Sequence, residues 1–266
     1  MRVFVSADIE GVCGITAWEE ARKDHPSYGP FRRQMQAEVA AACDGALAAG
    51  ASEVTVKDAH GSARNLAAAE LPAPAQLIRG WSGHPYGMVQ GLEKGHGAAL
   101  FIGYHGRAGG GGNPLAHTMS SQRLAEVRIN GEPASEYRIH AWACALEGVP
   151  VAFVSGDRAL CDEVAALAPA TVTFATKWGE GGSQHSLHPE AAIEGIRSGV
   201  CAALDPGTPR APLALPESFD LEIRYKDHTL AYARSFYPGA SCSDPHTVRF
   251  ESVDYFEVLR ALLFLM

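Results

Sequence analysis

No apolar run in this chain reaches bilayer length, no block of lysine or arginine occurs, and no two cysteines stand at C-x-x-C spacing. Each shortage excludes a class of protein. The longest apolar stretches are broken by Asp, Gly or Arg, so no segment is expected to span a membrane. With 22 Lys and Arg against 30 Asp and Glu, the net charge is −8, which makes nucleic acid and anionic membrane surfaces poor partners. Asp8 interrupts the apolar run that follows Arg2, so no secretory signal is expected. The six cysteines are at 13, 43, 144, 161, 201 and 242, and four lie on Ala/Leu-rich helical stretches where a thiol behaves as a small hydrophobe. Reduced structural thiols in a cytoplasmic protein are the expectation. Cys13 stands apart because it lies beside two acids. What remains is ordinary for a globular chain: 266 residues, 47% hydrophobic and 20% charged, enough for one large or two modest domains.

Strand-like and helix-like segments alternate. Short apolar runs rich in β-branched and aromatic residues predict strands at 2–8, 53–59, 98–105, 125–130, 149–157 and 171–177. Strong helix formers predict helices at 31–50, 134–148, 158–168 and 189–204. That alternation implies an α/β fold: a mostly parallel, Rossmann-like sheet with helices on both faces. A Pro-rich stretch at 205–216 changes the composition, and strand, helix, strand and helix patterns follow it. The expected division is a catalytic α/β domain over 1–205 and a smaller α+β unit over 206–266.

Polar residues collect where the strands end. Asp8 closes the first strand, Asp58 and His60 close the second, and His105 closes the third. Open parallel sheets bind ligands beyond the carboxyl ends of their strands, so three distant segments send acids and imidazoles to one edge. Asp8 and Glu10 are two residues apart and point to the same side of an extended backbone. Two such carboxylates repel unless a cation sits between them. Carboxylates with imidazoles and no thiolates suit Zn²⁺, Mn²⁺ or Mg²⁺, and an acid bridging two metals is a common hydrolase arrangement. Gly11 lets the backbone turn away after the acids.

A glycine-rich loop, AGGGGNPLAHTMS, follows His105 and carries His117. Without a G-K-[ST] ending it is not a P-loop. It fits a segment that delivers a general acid or base, and equally an exposed surface loop. Glu136 and His140 stand four apart on a helix, compatible with ligation or with an ordinary exposed pair. Lys177 ends a strand at the same edge, where it could bind an anionic or carbonyl group, and reads best as a snorkelling surface lysine. Histidines 25, 84, 96, 185, 188, 228 and 246 have no acidic or strand-end context and are expected to be structural.

The segments SADIEG (6–11), VKDAHG (56–61), GYHGRA (103–108), AHTM (116–119), NGEPASE (130–136), VAFVSGD (151–157) and YPGA (237–240) together resemble the DppA-type D-aminopeptidase family of metallopeptidases. The order and spacing of the motifs make the resemblance specific, and it covers essentially the whole chain. It implies two zinc ions per subunit, with Mn²⁺ or Co²⁺ as substitutes, bridged by Asp8 and completed by Glu10, His60, His105 and Glu136. It also implies a catalytic role for His117, either as nucleophile or as base for a metal-activated water. The implied activity is release of N-terminal D-amino acids such as D-Ala from short peptides, including fragments derived from cell walls, by a homo-oligomer that is a decamer. The chain departs from the family pattern at Gly106, where the family usually has Ala, and at His140, where it tends to have Asn. One extra residue in the glycine loop and one after His117 leave Glu132 as a rival to Glu136. The competing functions are a binuclear-metal amidase or phosphoesterase and a non-catalytic peptide-binding component of a transport system.

Overall fold

The computed structural model describes residues 1–266. In chain order the first elements are β1 (Arg2–Ala7), α1 (Trp18–Ala21), α2 (Tyr28–Ala48), β2 (Glu53–Asp58), β3 (Ala75–Ile78) and β4 (His96–Tyr104). There follow β5 (Leu124–Ile129), β6 (Glu132–Pro133), α3 (Glu136–Leu146), β7 (Val151–Asp157), α4 (Arg158–Leu167), β8 (Val172–Glu180), β9 (Ser183–Ser186) and α5 (Pro189–Leu204). The chain ends with β10 (Phe219–Tyr225), α6 (His228–Arg234), β11 (Ala240–Asp244), β12 (Thr247–Ser252) and α7 (Tyr255–Leu265). No helix is long and apolar enough to cross a membrane.

A seven-stranded sheet runs β3-β2-β1-β4-β7-β8-β9 and is parallel except where β9 folds back on β8. Its central strands β1, β4 and β7 are largely apolar runs, as burial on both faces demands, and β1 and β7 are buried almost throughout. One face packs on α2 and α5, the other on the layer that contains α3 and α7. The strand order reverses between β1 and β4, because the chain first winds outward to β3 and then returns. That reversal is where open α/β sheets form their ligand crevice.

The second sheet is antiparallel, β11-β12-β10-β5-β6. Two of its strands, β5 and β6, come from residues 124–133, well before the Pro-rich stretch. The two sheets therefore do not divide where the composition changes, and the segment between His117 and Glu136 is part of the second sheet. Four short edge strands, β3, β6, β9 and β11, escape the sequence pattern. SQHS and ASCSD have neither alternation nor β-branched residues, and only pairing to a neighbour makes them strands.

Glycine at position 11 has a different cause from a sharp turn. A Cβ there would lie 1.6 Å from the Tyr104 carbonyl oxygen, and one on Gly156 would lie 1.9 Å from the same atom. Both residues are glycine so that the ends of β1 and β7 close against the end of β4. Gly11→Ala is expected to destabilise the fold by about 2 kcal/mol or more, through forced separation of these backbones. Urea unfolding of the variant tests this, and an unchanged midpoint would contradict it.

Candidate metal centre

Beyond the sheet's carboxyl edge, six side chains from five segments meet. Asp8, Glu10, His105 and Glu136 are almost fully buried, and His60 and His117 are nearly so. Asp8 Oδ1 lies 3.2 Å from His60 Nδ1, and its Oδ2 lies 3.4 Å from His105 Nε2. Glu10 Oε2 approaches His60 Nδ1 at 3.0 Å, while Glu136 Oε2 lies 3.4 Å from His105 Nε2 and its Oε1 3.6 Å from His117 Nε2. The group thus splits into Asp8–Glu10–His60 and His105–His117–Glu136, the ligand atoms of each lying within 4.8 Å of one another. Asp8 faces both halves, one oxygen to each.

Local structure explains how each group arrives. Asp58, which closes β2, stays out of the cluster: its carboxylate accepts the Leu66 and Asn65 backbone N–H and the Asn65 amide, clamping the loop that carries His60. Asn65 in turn donates to the His60 carbonyl at 2.8 Å. Glu136 opens α3 directly after the Ser135 cap, whose Oγ accepts the Arg138 N–H. The Met119 N–H donates to Glu136 Oε1 at 2.7 Å, tying the loop of His117 to this acid. Met119 holds the left-handed φ of 62° to do so, a strained conformation for a non-glycine residue at a functional site. Trp18 packs edge-on against the His117 ring, which stacks on His105 at 4.4 Å between centroids. Glu132, the rival acid, is exposed on β6, away from this cluster.

The imidazoles share one arrangement. His60 Nε2 faces the Ala21 carbonyl at 2.8 Å, His105 Nδ1 the Gly106 carbonyl at 2.9 Å, and His117 Nδ1 the Leu115 carbonyl at 2.9 Å. A ring nitrogen against a carbonyl carries the proton, so in neutral histidine the other nitrogen presents a lone pair. All three lone-pair nitrogens face carboxylates, and the buried Glu10 Oε2 and His105 Nε2 lack a well-aligned hydrogen bond. Lone pairs facing lone pairs is an arrangement that cations stabilise, and a backbone carbonyl on the far nitrogen is the usual support of a metal-binding histidine. The donor set of carboxylates and imidazoles fits zinc.

Burial works against a charged imidazole, but Glu10 and Asp8 overcome it for His60, and Glu136 and Asp8 for His105, so both are held well above the usual range. Burial alone would raise Glu136; the His105 and His117 imidazoles hold it at about 2. Glu10 is likewise pulled well below the usual range against its burial, chiefly by His60, whereas burial and the Glu10 charge raise Asp8.

Three other expectations meet the structure here. Lys177 is not a snorkelling surface residue: it is fully buried, and its Nζ donates to the carbonyls of Glu10 and Ile15. His140 is neither ligand nor exposed partner, since it is buried with Nδ1 on the Glu136 carbonyl at 2.7 Å and Nε2 toward the Met88 N–H. Cys13 packs inward, its thiol donating to the Leu187 carbonyl at 3.0 Å. Asp157 is a further acid that closes a strand and is buried at this edge, and the pattern that singles out Asp8 would have found it too. The cluster opens into a cavity of about 1180 Å³ walled by Trp18, Trp81 and Met119 and rimmed by Arg22, Lys23 and Lys226.

Comparisons with known proteins follow the same lines. The family model described as D-aminopeptidase matches residues 1–264. A D-aminopeptidase of Bacillus subtilis (strain 168) is 30% identical over 268 aligned residues, covering 99% of this chain and 96% of that one. The solved structure described as the Zn-dependent D-aminopeptidase DppA from Bacillus subtilis, a self-compartmentalizing protease, superposes with a TM-score of 0.93 at 28% identity, covering 100% of this chain and 96% of the other.

Glu38, buried on α2, accepts the Cys13 N–H at 3.0 Å and so supports the turn that carries Glu10. Burial pushes its carboxyl from 4.5 up to about 7. The native state therefore favours the protonated form, and this contribution to stability is full below pH 4.5 and gone above pH 7. Between those limits the wild type is expected to lose on the order of 3 kcal/mol relative to Glu38→Gln. Parallel stability curves across that pH range would contradict the assignment.

Proposed function

The chain belongs to the D-aminopeptidase family, and from that premise we propose that it is a zinc-dependent aminopeptidase that releases N-terminal D-amino acids such as D-Ala from short peptides. The single observation that carries the site assignment is the pair of three-residue clusters joined by Asp8. In this reading Asp8, Glu10, His60, His105 and Glu136 would together hold two zinc ions. Zinc, when bound, supplies Lewis acidity toward the scissile carbonyl and the attacking water.

The chain's own groups supply the rest. The Leu115 carbonyl fixes the proton on His117 Nδ1, leaving Nε2 free to take a proton and return it to the leaving amine. Trp18 and the stacked His105 hold that ring in place. A free α-amine held by one metal or by a carboxylate of the site would favour cleavage at the peptide's first residue. Arg22, Lys23 and Lys226 at the rim offer a counter-charge to the terminal carboxylate of a short peptide. Arg64, Arg107 and Lys177, the basic residues that accompany the site motifs in the sequence, do not line the cavity, so basic groups stand only at its rim, which argues against a phosphoester held at the carboxylates and imidazoles. Rich in carboxylates and free of thiols, the cluster is also unlike the closed, thiolate-rich sites that serve structure alone.

We place the enzyme in the cytoplasm, in keeping with six unpaired cysteines, four of them buried. It acts there as a homo-oligomer, a decamer by resemblance, with D-Ala-containing cell-wall fragments as substrates. Exposed Tyr232, Phe236, Val253 and Phe264 provide apolar surface for self-association.

Chelation is expected to abolish release of D-Ala from D-Ala dipeptides, and added zinc to restore it. His117→Ala should lower kcat by at least a thousandfold while zinc content stays that of the wild type. Near wild-type turnover in that variant would remove His117 from the chemistry. In light scattering the enzyme should elute at decamer mass; a particle of 28.2 kDa would refute assembly.

A further inference from the structure

Beneath the carboxylates and imidazoles lies a layer of buried polar side chains to which the chemistry above gives no role. Asp157 ends β7, and its carboxylate accepts three donors: the N–H of Gly106, the N–H of Leu160 and the Asn113 amide, each at 2.8 Å. Asn113 Nδ2 also reaches the Glu10 carbonyl at 3.1 Å, and its Oδ1 accepts the Leu115 N–H at 2.9 Å. The Leu115 carbonyl is the group that holds His117 Nδ1. On the other side of the Glu10 carbonyl stands the Lys177 ammonium, which also donates to the Ile15 carbonyl at 2.7 Å. The neighbouring Thr176 hydroxyl reaches the Gly11 carbonyl at 2.7 Å.

A buried ammonium is a costly way to fill space, and an apolar chain of similar length would occupy the same volume without the desolvation penalty. Lys177 is 0% exposed, and its hydrogen bonds go to two carbonyls that bracket the turn from Glu10 to Ile15. Asn113 is 5% exposed at the end of a run of glycines that has no stiffness of its own. Both side chains converge on one atom, the Glu10 carbonyl oxygen. Through it the turn presenting Glu10 and the loop presenting His117 are tied to each other and to the ends of β7 and β8.

We propose that Lys177 and Asn113, anchored by Asp157, are positioning residues for the hydrolysis: Lys177 sets where the Glu10 carboxylate stands, and Asn113 sets where the His117 ring stands relative to it. The assignment rests on the zinc aminopeptidase reading for its kinetic part and on the site geometry alone for its binding part. Displacing a reacting group by an ångström costs orders of magnitude in rate, and removing partners of this kind costs roughly ten- to a hundredfold in metal affinity or activity.

The test uses the full-length chain with Lys177→Met, Asn113→Ala and Asn113→Ser. Zinc affinity is measured by competition with a chromogenic chelator, and kcat and KM by D-Ala release at saturating zinc. Lys177→Met is expected to weaken zinc binding about tenfold or more. Asn113→Ala should leave zinc affinity and KM within about threefold while kcat falls tenfold or more, and Asn113→Ser, which keeps a hydroxyl donor, should recover part of the loss. Wild-type zinc affinity in Lys177→Met would overturn the role of that residue. An unchanged kcat in Asn113→Ala, or equal losses in both Asn113 variants with matching falls in zinc affinity, would overturn the role of Asn113. If Lys177→Met does not fold, Lys177→Gln, which retains an amide donor, takes its place: weakened zinc binding supports the role and wild-type affinity overturns it. A wild type that binds zinc but releases no amino acid would defeat the aminopeptidase reading, and the zinc affinities would still decide for or against Lys177.

Discussion

Three carboxylates buried within a few ångströms of one another set the terms for the rest of this molecule. Such a group is unstable alone, and every neighbouring choice answers it. Three imidazoles turn their lone-pair nitrogens inward, each held by a backbone carbonyl on its other side. The fold supplies the place: the winding reverses between β1 and β4, and open α/β sheets form their ligand crevice beyond the strand ends at such a point. Glycines at 11 and 156 then let the flanking strand ends approach closely, and Asp8 there faces both clusters, one oxygen to each.

Much of this is legible in the sequence because strand ends are visible there. A run such as VFVSA that stops at Asp8 shows both the strand and the anomaly, and the same holds for His105. The parallel order follows from alternation alone. Glu136 needs more: it falls inside the predicted helix at 134–148 and Glu132 does not, but its place comes from the motif and, in the structure, from the turn that starts α3. Gly11 stands out beside the acids, but the reason for it is the approach of a distant carbonyl, which leaves no local signature.

What stays hidden has a common character. Lys177 resembles any lysine at a strand end until β8 is seen to pass directly behind the first turn of the site. His140 has the spacing of a ligand, yet its ring fits between α3 and the Met88 segment. The edge strands β3, β9 and β11 are made by their neighbours, not by their own residues. In each case the deciding contact joins segments far apart in the chain, and no local pattern encodes it.

The antiparallel sheet has a mechanical consequence. His117 and Glu136 flank the excursion that becomes β5 and β6, so both ride on the edge of that second sheet. Asp8, Glu10 and His60 ride on the first. The His105–His117–Glu136 cluster is thus divided between the sheets, since His105 follows β4 of the first and its two partners ride on the second. A small tilt of one sheet against the other would move His117 and Glu136 relative to His105, Asp8 and Glu10. Whatever surrounds the C-terminal sheet, including another copy of the chain, would then have a grip on the gap at which the chemistry takes place.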